Sequence, residues 1–297
     1  MASLPLINHH HVSLLYALQS TTANTPKVFN DSPSSMAPLP HSLISHQHPN
    51  IQSAPPKSYG KVSERSTAHE ETGDLKQESQ LNFQAWRLGV ETNTLRSWTV
   101  VPPECVEYVK SYMVGTGSQY GRDSYMVAKE SMAYINSVKL SGDGKDAWVF
   151  DVDETLLSSL PFFAGHQYGG EGMDDDAFIK WADLAEAPPL PASRSFYAHL
   201  LELGLKIFLL TGRYDYERSA TEKNLGRAGY HSWEALLMRD PEDYEKSAML
   251  YKSERRLKIE QDGFRIVGNS GDQWSDLTGY AVGDRTFKLP NPLYYVA

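Results

Sequence analysis

Three short apolar segments, each ending abruptly in polar residues, most constrain the fold of this chain. They are residues 147–150 before Asp151, residues 205–210 before Thr211, and residues 264–267 before the turn that begins at Gly268. A short apolar run bounded by turn residues is typical of a strand buried on both faces of a parallel sheet. Residues 235–238 form a weaker fourth candidate.

Helical patterns alternate with these strands. They cover residues 195–203, 217–228 and 244–261, and two more, 104–113 and 125–138, precede the first strand. The alternation predicts an α/β fold with a Rossmann-like parallel sheet, helices on both faces and right-handed crossovers. We expect the two upstream helices to pack against the sheet through their apolar stripes. Because ligands bind at the carboxyl ends of such strands, the three polar endings should meet at one edge.

Composition divides the chain into two parts. Residues 1–80 contain seven of the ten histidines, none of the six tryptophans and several proline clusters, so we predict a mostly disordered, low-complexity tail. Residues 81–297 would form one folded domain. Within it, we expect the irregular insert 157–191 to form a small helical cap over the edge of the sheet where the polar strand endings meet. The lone Cys105 excludes an internal disulfide framework.

Charge and hydropathy exclude two further classes of protein. The formal net charge is -9, so the surface should repel a phosphate backbone, and we expect no nucleic-acid partner. No segment reaches the roughly 18 apolar residues of a membrane helix, so we expect no membrane span. What remains is an acidic globular protein.

Asp151 and Asp153 are the strongest local feature. Two carboxylates one residue apart at the end of a buried strand repel each other unless a cation or a proton compensates them. Mg²⁺ supplies such compensation through oxygen ligands. The alternatives are a turn with two solvated acids and a calcium loop, but Thr155 and Leu156 stand where an EF-hand needs an acid and a glycine.

Two more segments carry candidate site residues. Asp272 and Asp276 would share one face if a helix begins there, although an ordinary capped turn is the alternative. Thr211 and the Gly212 N–H would form an anion site at the start of a helix, or a simple helix cap. Lys252 is a candidate cation for a phosphate, yet the residues alone do not separate it from a solvated lysine.

Taken together, these motifs resemble those of the haloacid dehalogenase superfamily. More closely, they are similar to the plant acid phosphatases related to vegetative storage proteins, a class B acid phosphatase-like family. The matching motifs are Asp151-Val152-Asp153-Glu154-Thr155, Leu210-Thr211-Gly212-Arg213, Tyr251-Lys252-Ser253 and Gly271-Asp272-Gln273-Trp274-Ser275-Asp276. Residues 86–91 and 285–292 are also similar, so the resemblance covers about 83–297.

The resemblance implies catalytic roles for five residues. Asp151 would be the nucleophile that forms an aspartyl-phosphate intermediate, and Asp153 the general acid and base. Thr211, with help from the Gly212 N–H, would bind a phosphoryl oxygen. Lys252 would neutralise charge on the phosphate and on Asp151. The activity implied is an acid phosphatase that hydrolyses small-molecule phosphomonoesters at mildly acidic pH.

The resemblance also implies Mg²⁺ as the cofactor. Its ligands would be Asp151, the carbonyl of Asp153 and Asp272, with Asp276 in or just outside the coordination sphere. Two alternatives stay open: a vegetative storage protein with little or no catalysis, and a phosphotransferase that uses the same intermediate. Because the nucleophile and its partners are all present, we favour the enzyme.

Location and assembly are less constrained. The resemblance implies a secreted or vacuolar protein, but residues 1–20 lack the positive segment of a signal peptide, since Lys27 is the first basic residue. Oligomeric state is not determined by the sequence, and a homodimer is one alternative.

Overall fold

A computed structural model describes residues 82–115 and 117–297 of the chain. This part contains a five-stranded sheet in the order β3-β2-β1-β4-β5, with every neighbouring pair parallel. The strands are β1 (Asp146–Phe150), β2 (Lys206–Tyr214), β3 (Ala235–Arg239), β4 (Arg265–Gly271) and β5 (Thr286–Lys288). The four expected strands are confirmed. The short edge strand β5 was not predicted.

Nine α-helices lie within the described residues. They are α1 (82–91), α2 (Val106–Met113), α3 (Gln119–Ser137), α4 (Leu160–Ala164), α5 (Asp175–Ala182), α6 (Pro191–Glu202), α7 (Arg218–Arg227), α8 (Ala248–Gln261) and α9 (Trp274–Leu277). The helices predicted between the strands correspond to α6, α7 and α8, with their starts displaced by one to four residues. The predicted α/β fold is therefore confirmed.

Both faces of the sheet are covered. On one face, Trp148 and Ile207 pack with Phe196 of α6 and Ile135 of α3. A Cβ on Gly268 of β4 would lie only 2.2 Å from the Trp148 ring, so glycine is what lets the buried indole lie flat against the strand. On the other face, Val149 and Phe208 pack with Tyr251 and Ile259 of α8.

A separate apolar cluster joins α2 to the insert. Val109 of α2 packs with Phe162 and Phe163 of α4 and with Leu293 near the end of the chain. The expectation that the helix over residues 104–113 packs on the sheet is therefore wrong, whereas α3 does pack there. The cause is that the insert and the C-terminal segment supply their own apolar surface.

Some expectations concern other parts of the chain. The tail predicted over residues 1–80 lies outside the described residues. The insert over 157–191 contains α4 and α5, as a small helical cap would. Among the described residues, no helix combines the length and apolar character that crossing a bilayer requires.

Candidate active site

Three aspartates from two neighbouring strand ends form the centre of the site. β1 lies between β2 and β4, so the residues that follow β1 and β4 are brought side by side, and the Asp151 N–H donates to the Ser270 carbonyl at 3.0 Å. One carboxylate oxygen from each of Asp151, Asp272 and Asp276 lies within 4.8 Å of the others, and all three residues are buried. The predicted convergence of distant segments is present in the structure.

A glycine makes this close approach feasible. A Cβ on Gly271 would lie 2.4 Å from the Asp276 side chain, which folds back over the end of β4. Asp276 also accepts a hydrogen bond from the Gln273 N–H at 2.9 Å and so caps the four-residue helix α9. The capped-turn interpretation and the metal-ligand interpretation are therefore compatible for this residue.

Lys252 of α8 supplies the cation within the cluster. Its Nζ donates to Asp151 Oδ1 at 2.6 Å and also to Asp276 Oδ1, and the residue is only 5% exposed. Burial by itself would lower the pKa of Lys252, but the attraction of Asp151 and Asp276 outweighs it and raises the pKa above its usual value. This lysine is therefore a buried, charged partner of the acids and not a solvated surface residue.

One lysine does not balance three buried acids. Burial raises the pKa of Asp151 well above its ordinary value, and repulsion from Asp276 and Asp272 adds to this against the attraction of Lys252. Burial, followed by repulsion from Asp276, raises the pKa of Asp272 to about 7. Hard divalent cations prefer such carboxylate oxygens, so the donor set fits Mg²⁺ or a similar ion.

The Asp153 carboxylate is not one of the three grouped carboxylates. Its two oxygens accept hydrogen bonds from Arg213 Nη2 at 2.7 Å and from Nε at 2.9 Å, and Arg213 Nη1 also reaches the Thr221 hydroxyl at 3.1 Å. Only the main chain of Asp153 remains to serve the metal, which is compatible with the predicted use of its carbonyl. Sequence reasoning missed Arg213 as a functional residue, although it follows Thr211 and Gly212 in the quoted motif.

Thr211 and Gly212 lie within β2, not at the start of a helix. β2 extends to Tyr214, and α7 begins only at Arg218. The placement of Thr211 and Gly212 at a helix start is therefore wrong, and so is the N-cap alternative that depends on it. The buried Thr211 hydroxyl instead accepts from the Arg213 N–H at 3.2 Å, while Gly212 lines the site cavity.

A cavity of about 720 Å³ lies above these groups. Asp151, Asp153, Lys252, Asp272 and Asp276 all line it. Its aromatic lining residues are Trp98, Phe178, Tyr214, Tyr244, Tyr294 and Tyr295. Because Phe178 belongs to α5, the insert forms part of the wall, as expected of a cap.

The tryptophan between the two motif aspartates has a structural role. Trp274 donates its indole N–H to the Glu91 carbonyl at 3.1 Å and is not among the residues that line the cavity. Trp98 does line the cavity, and it also packs against the apolar cluster of α2 and the insert. Only the fold places residue 98 there, since no local pattern connects it to the motifs.

Glu154 connects the turn after β1 to the C-terminal segment. Its buried carboxylate accepts from the Ser159 N–H at 2.6 Å and from the Tyr294 hydroxyl at 2.6 Å. Its φ of 53° lies in the left-handed region, where non-glycine residues are uncommon. Burial, with repulsion from Asp153, raises the pKa of Glu154 to about 7.

Comparison with known proteins agrees with this geometry. The family model described as HAD superfamily, subfamily IIIB (acid phosphatase), matches residues 67–297. Acid phosphatase 1 of Solanum lycopersicum is 51% identical over 217 residues, which cover 73% of this chain and 84% of that protein. Vegetative storage protein 2 of Arabidopsis thaliana is 40% identical over 216 residues, or 72% of this chain and 80% of that protein.

A solved structure supports the fold. The class C acid phosphatase from Bacillus anthracis with tungstate bound superposes with a TM-score of 0.54 at 24% identity, covering 64% of this chain and 85% of that one. At this identity the likeness concerns the fold alone. The family match begins at residue 67, upstream of the start near residue 81 expected from composition.

Proposed function

This chain belongs to the acid phosphatases of HAD superfamily subfamily IIIB, and from that premise we propose that it hydrolyses small-molecule phosphomonoesters with Mg²⁺ bound and an aspartyl phosphate on Asp151. The observation that carries the proposal is the buried Lys252 ammonium, which contacts Asp151 and Asp276 together. A buried cation beside a nucleophilic carboxylate reduces the repulsion that a phosphate dianion would meet there.

Binding of the phosphoryl group uses the floor of the cavity. Lys252 would attract its charge, and the Thr211 hydroxyl and the Gly212 N–H of β2 would donate to its oxygens; of these two residues, Gly212 lines the cavity. Asp151, the Asp153 carbonyl, Asp272 and Asp276 would hold Mg²⁺, which when bound supplies charge neutralisation for the phosphate and the nucleophile.

In the first step, a carboxylate oxygen of Asp151 attacks phosphorus and the bond to the leaving oxygen breaks. Asp153 donates a proton to that oxygen, so the alcohol leaves neutral. Arg213 holds both oxygens of the ionised Asp153 carboxylate. In the protonated form one of these contacts would be released, so that the oxygen bearing the proton faces the leaving oxygen while Arg213 keeps the other in place. The leaving group occupies the remainder of the cavity, whose volume of about 720 Å³ far exceeds what a phosphate needs.

In the second step, water replaces the alcohol. Asp153, now ionised, removes a proton from this water, and the resulting hydroxide attacks phosphorus. The bond between phosphorus and the Asp151 oxygen breaks, which releases inorganic phosphate. Asp151 returns to its carboxylate form and Asp153 to its protonated form. One phosphoester bond is hydrolysed and one water is consumed in each cycle.

The test compares hydrolysis of p-nitrophenyl phosphate with Mg²⁺ and with EDTA, for the wild type and Asp151→Asn. We expect turnover only for the wild type with Mg²⁺, and a trapped phosphoryl group on Asp151 after acid quenching. Asp262→Asn is a matched control. Asp262 directly follows the C-terminal end of α8, its side chain is half-exposed, and its ion pair within the described residues is with Lys258. Full activity in Asp151→Asn would contradict the mechanism.

The same experiment separates the alternatives. Negligible turnover by an intact, metal-loaded wild type would favour the storage role. New phosphoesters formed when an alcohol is added would favour phosphotransfer from the same intermediate. A rate that peaks above neutral pH would contradict the acidic optimum expected from the family.

A further inference from the structure

Two motifs that the mechanism does not use meet beside the site. Residues 86–91 and 285–292 lie near opposite ends of the domain in sequence, yet Glu91 of α1 contacts the segment after β5. Glu91 Oε1 accepts from the Asn291 N–H at 3.0 Å, and Oε2 accepts from Lys288 Nζ at 2.8 Å. This pairing holds the backbone of Asn291 in place from the side of α1.

The side chain of Asn291 then has one available orientation. Its Oδ1 accepts from the Leu293 N–H at 2.8 Å, so its Nδ2 must point the other way, where it donates to Asp272 Oδ2 at 2.8 Å. Asn291 is 1% exposed, so water does not compete for these groups. The backbone, through Leu293 and Glu91, therefore fixes which amide atom faces Asp272.

This contact restricts how the Asp272 carboxylate rotates. Oδ2 also accepts from Gln273 Nε2 at 2.7 Å, while Oδ1 accepts from the Thr155 hydroxyl at 3.2 Å. Gln273 adjoins Asp272 in sequence and Thr155 ends the first acidic motif, so Asn291 is the donor that reaches Asp272 from the distant C-terminal segment.

We propose that Asn291 is a positioning residue for the metal ligand Asp272, and that Glu91 and Lys288 hold it, so that α1 and the C-terminal segment set the affinity for the divalent cation. The inference rests on the proposed function, because the metal belongs to that proposal. Hydrogen-bonding partners of metal ligands typically contribute 10- to 100-fold to metal affinity, roughly. Asn291, held by Glu91 and Lys288, is such a partner of Asp272.

The first test measures Mg²⁺ and Mn²⁺ binding to the metal-free full chain by calorimetry. Asn291→Leu keeps the size of the side chain and removes the donor, so we expect the Kd to rise about 10- to 100-fold. Asn224→Leu is the matched control. Asn224 is equally buried but bonds only the Ala187 main chain, so its loss should lower the melting temperature and leave the Kd unchanged.

The second test asks whether Glu91 acts through Asn291. Glu91→Leu should also raise the Kd, whereas Glu91→Gln, which keeps an oxygen for the Asn291 N–H, should restore it. The double variant of Glu91→Leu and Asn291→Leu should bind no more weakly than Asn291→Leu alone, because both changes remove one contact.

The outcomes are distinguishable. An unchanged Kd for Asn291→Leu, or equal losses in Asn291→Leu and Asn224→Leu, would overturn the positioning role while leaving the phosphatase mechanism intact. A wild type that binds neither cation would overturn the metal-dependent function and this inference with it.

Discussion

Glu154 offers a direct test of the electrostatics around the site. The residue has no exposed surface, and its carboxylate accepts hydrogen bonds from Ser159 and from the Tyr294 hydroxyl. In Glu154→Gln the amide oxygen still accepts from Ser159, and the Tyr294 hydroxyl can accept from the amide nitrogen instead of donating. The variant therefore removes the ionisation and preserves the contacts.

The sign of the effect follows from proton binding. Burial and the nearby Asp153 raise the pKa of Glu154 from 4.5 to about 7. Between these values the folded state binds more protons than the unfolded state, so the free energy of unfolding falls as pH rises and levels off above pH 7. At 1.36 kcal/mol per pKa unit, the shift corresponds to about 3 kcal/mol.

The assay is urea denaturation of the wild type and Glu154→Gln, in EDTA, between about pH 5 and pH 8. Titration of Asp151 is common to both proteins. Ionised Glu154 repels Asp272 and raises its pKa, so the variant also lowers the pKa of Asp272, which adds to the difference with the same sign. We expect the free energy of unfolding of the variant, relative to that of the wild type, to rise by about 2 to 3 kcal/mol from pH 5 to pH 8, with most of the change below pH 7. A difference that stays constant with pH would refute the reasoning, because it would mean that Glu154 ionises alike in both states.

Three further predictions concern the site and the core. Arg213→Lys cannot pair with both oxygens of Asp153, so kcat should fall at least about tenfold. The loss should be larger for an alkyl phosphate than for p-nitrophenyl phosphate, whose leaving group needs less protonation. Equal losses for the two substrates would contradict the role of Arg213 in positioning Asp153. Because the pKa of Asp272 is raised to about 7 without metal, the calorimetric Kd for Mg²⁺ should rise about tenfold per pH unit below that value, and a pH-independent Kd would contradict this. Gly268→Ala would place a Cβ 2.2 Å from the Trp148 ring, so urea denaturation should show a loss of at least about 2 kcal/mol, and wild-type stability would show that the strand can shift.

Local patterns in the sequence were sufficient for the sheet. A parallel strand covered on both faces must be apolar along its whole length, and a run of four to six apolar residues bounded by turn residues records that requirement directly. The sequence pattern did not predict β5, because its three residues, Thr286–Lys288, include only one buried side chain and two partly buried ones. Such an edge strand is stabilised by its neighbour β4 and carries no pattern of its own.

The sequence also identified the acidic residues of the site, but not the ion pairs that each of them forms. Position after an apolar run identified Asp151 and Asp153. Only the structure shows their different partners, since one carboxylate pairs with Lys252 and the other with Arg213. Local reasoning placed Thr211 at a helix start because the apolar run ends at Leu210 and a helical pattern follows over residues 217–228. Pairing with β3, which includes Tyr214 opposite Arg239, instead continues β2 through that position.

What the sequence by itself determined was where four of the strands lie, because hydrophobic burial acts on consecutive residues and leaves a pattern along the chain. What only the tertiary structure decided was which side chains meet across large sequence separations: Lys252 with Asp151, Arg213 with Asp153, and Asn291 with Asp272. A hydrogen bond depends on distance and direction in space, and neither is encoded at the two positions until the sheet has brought them together.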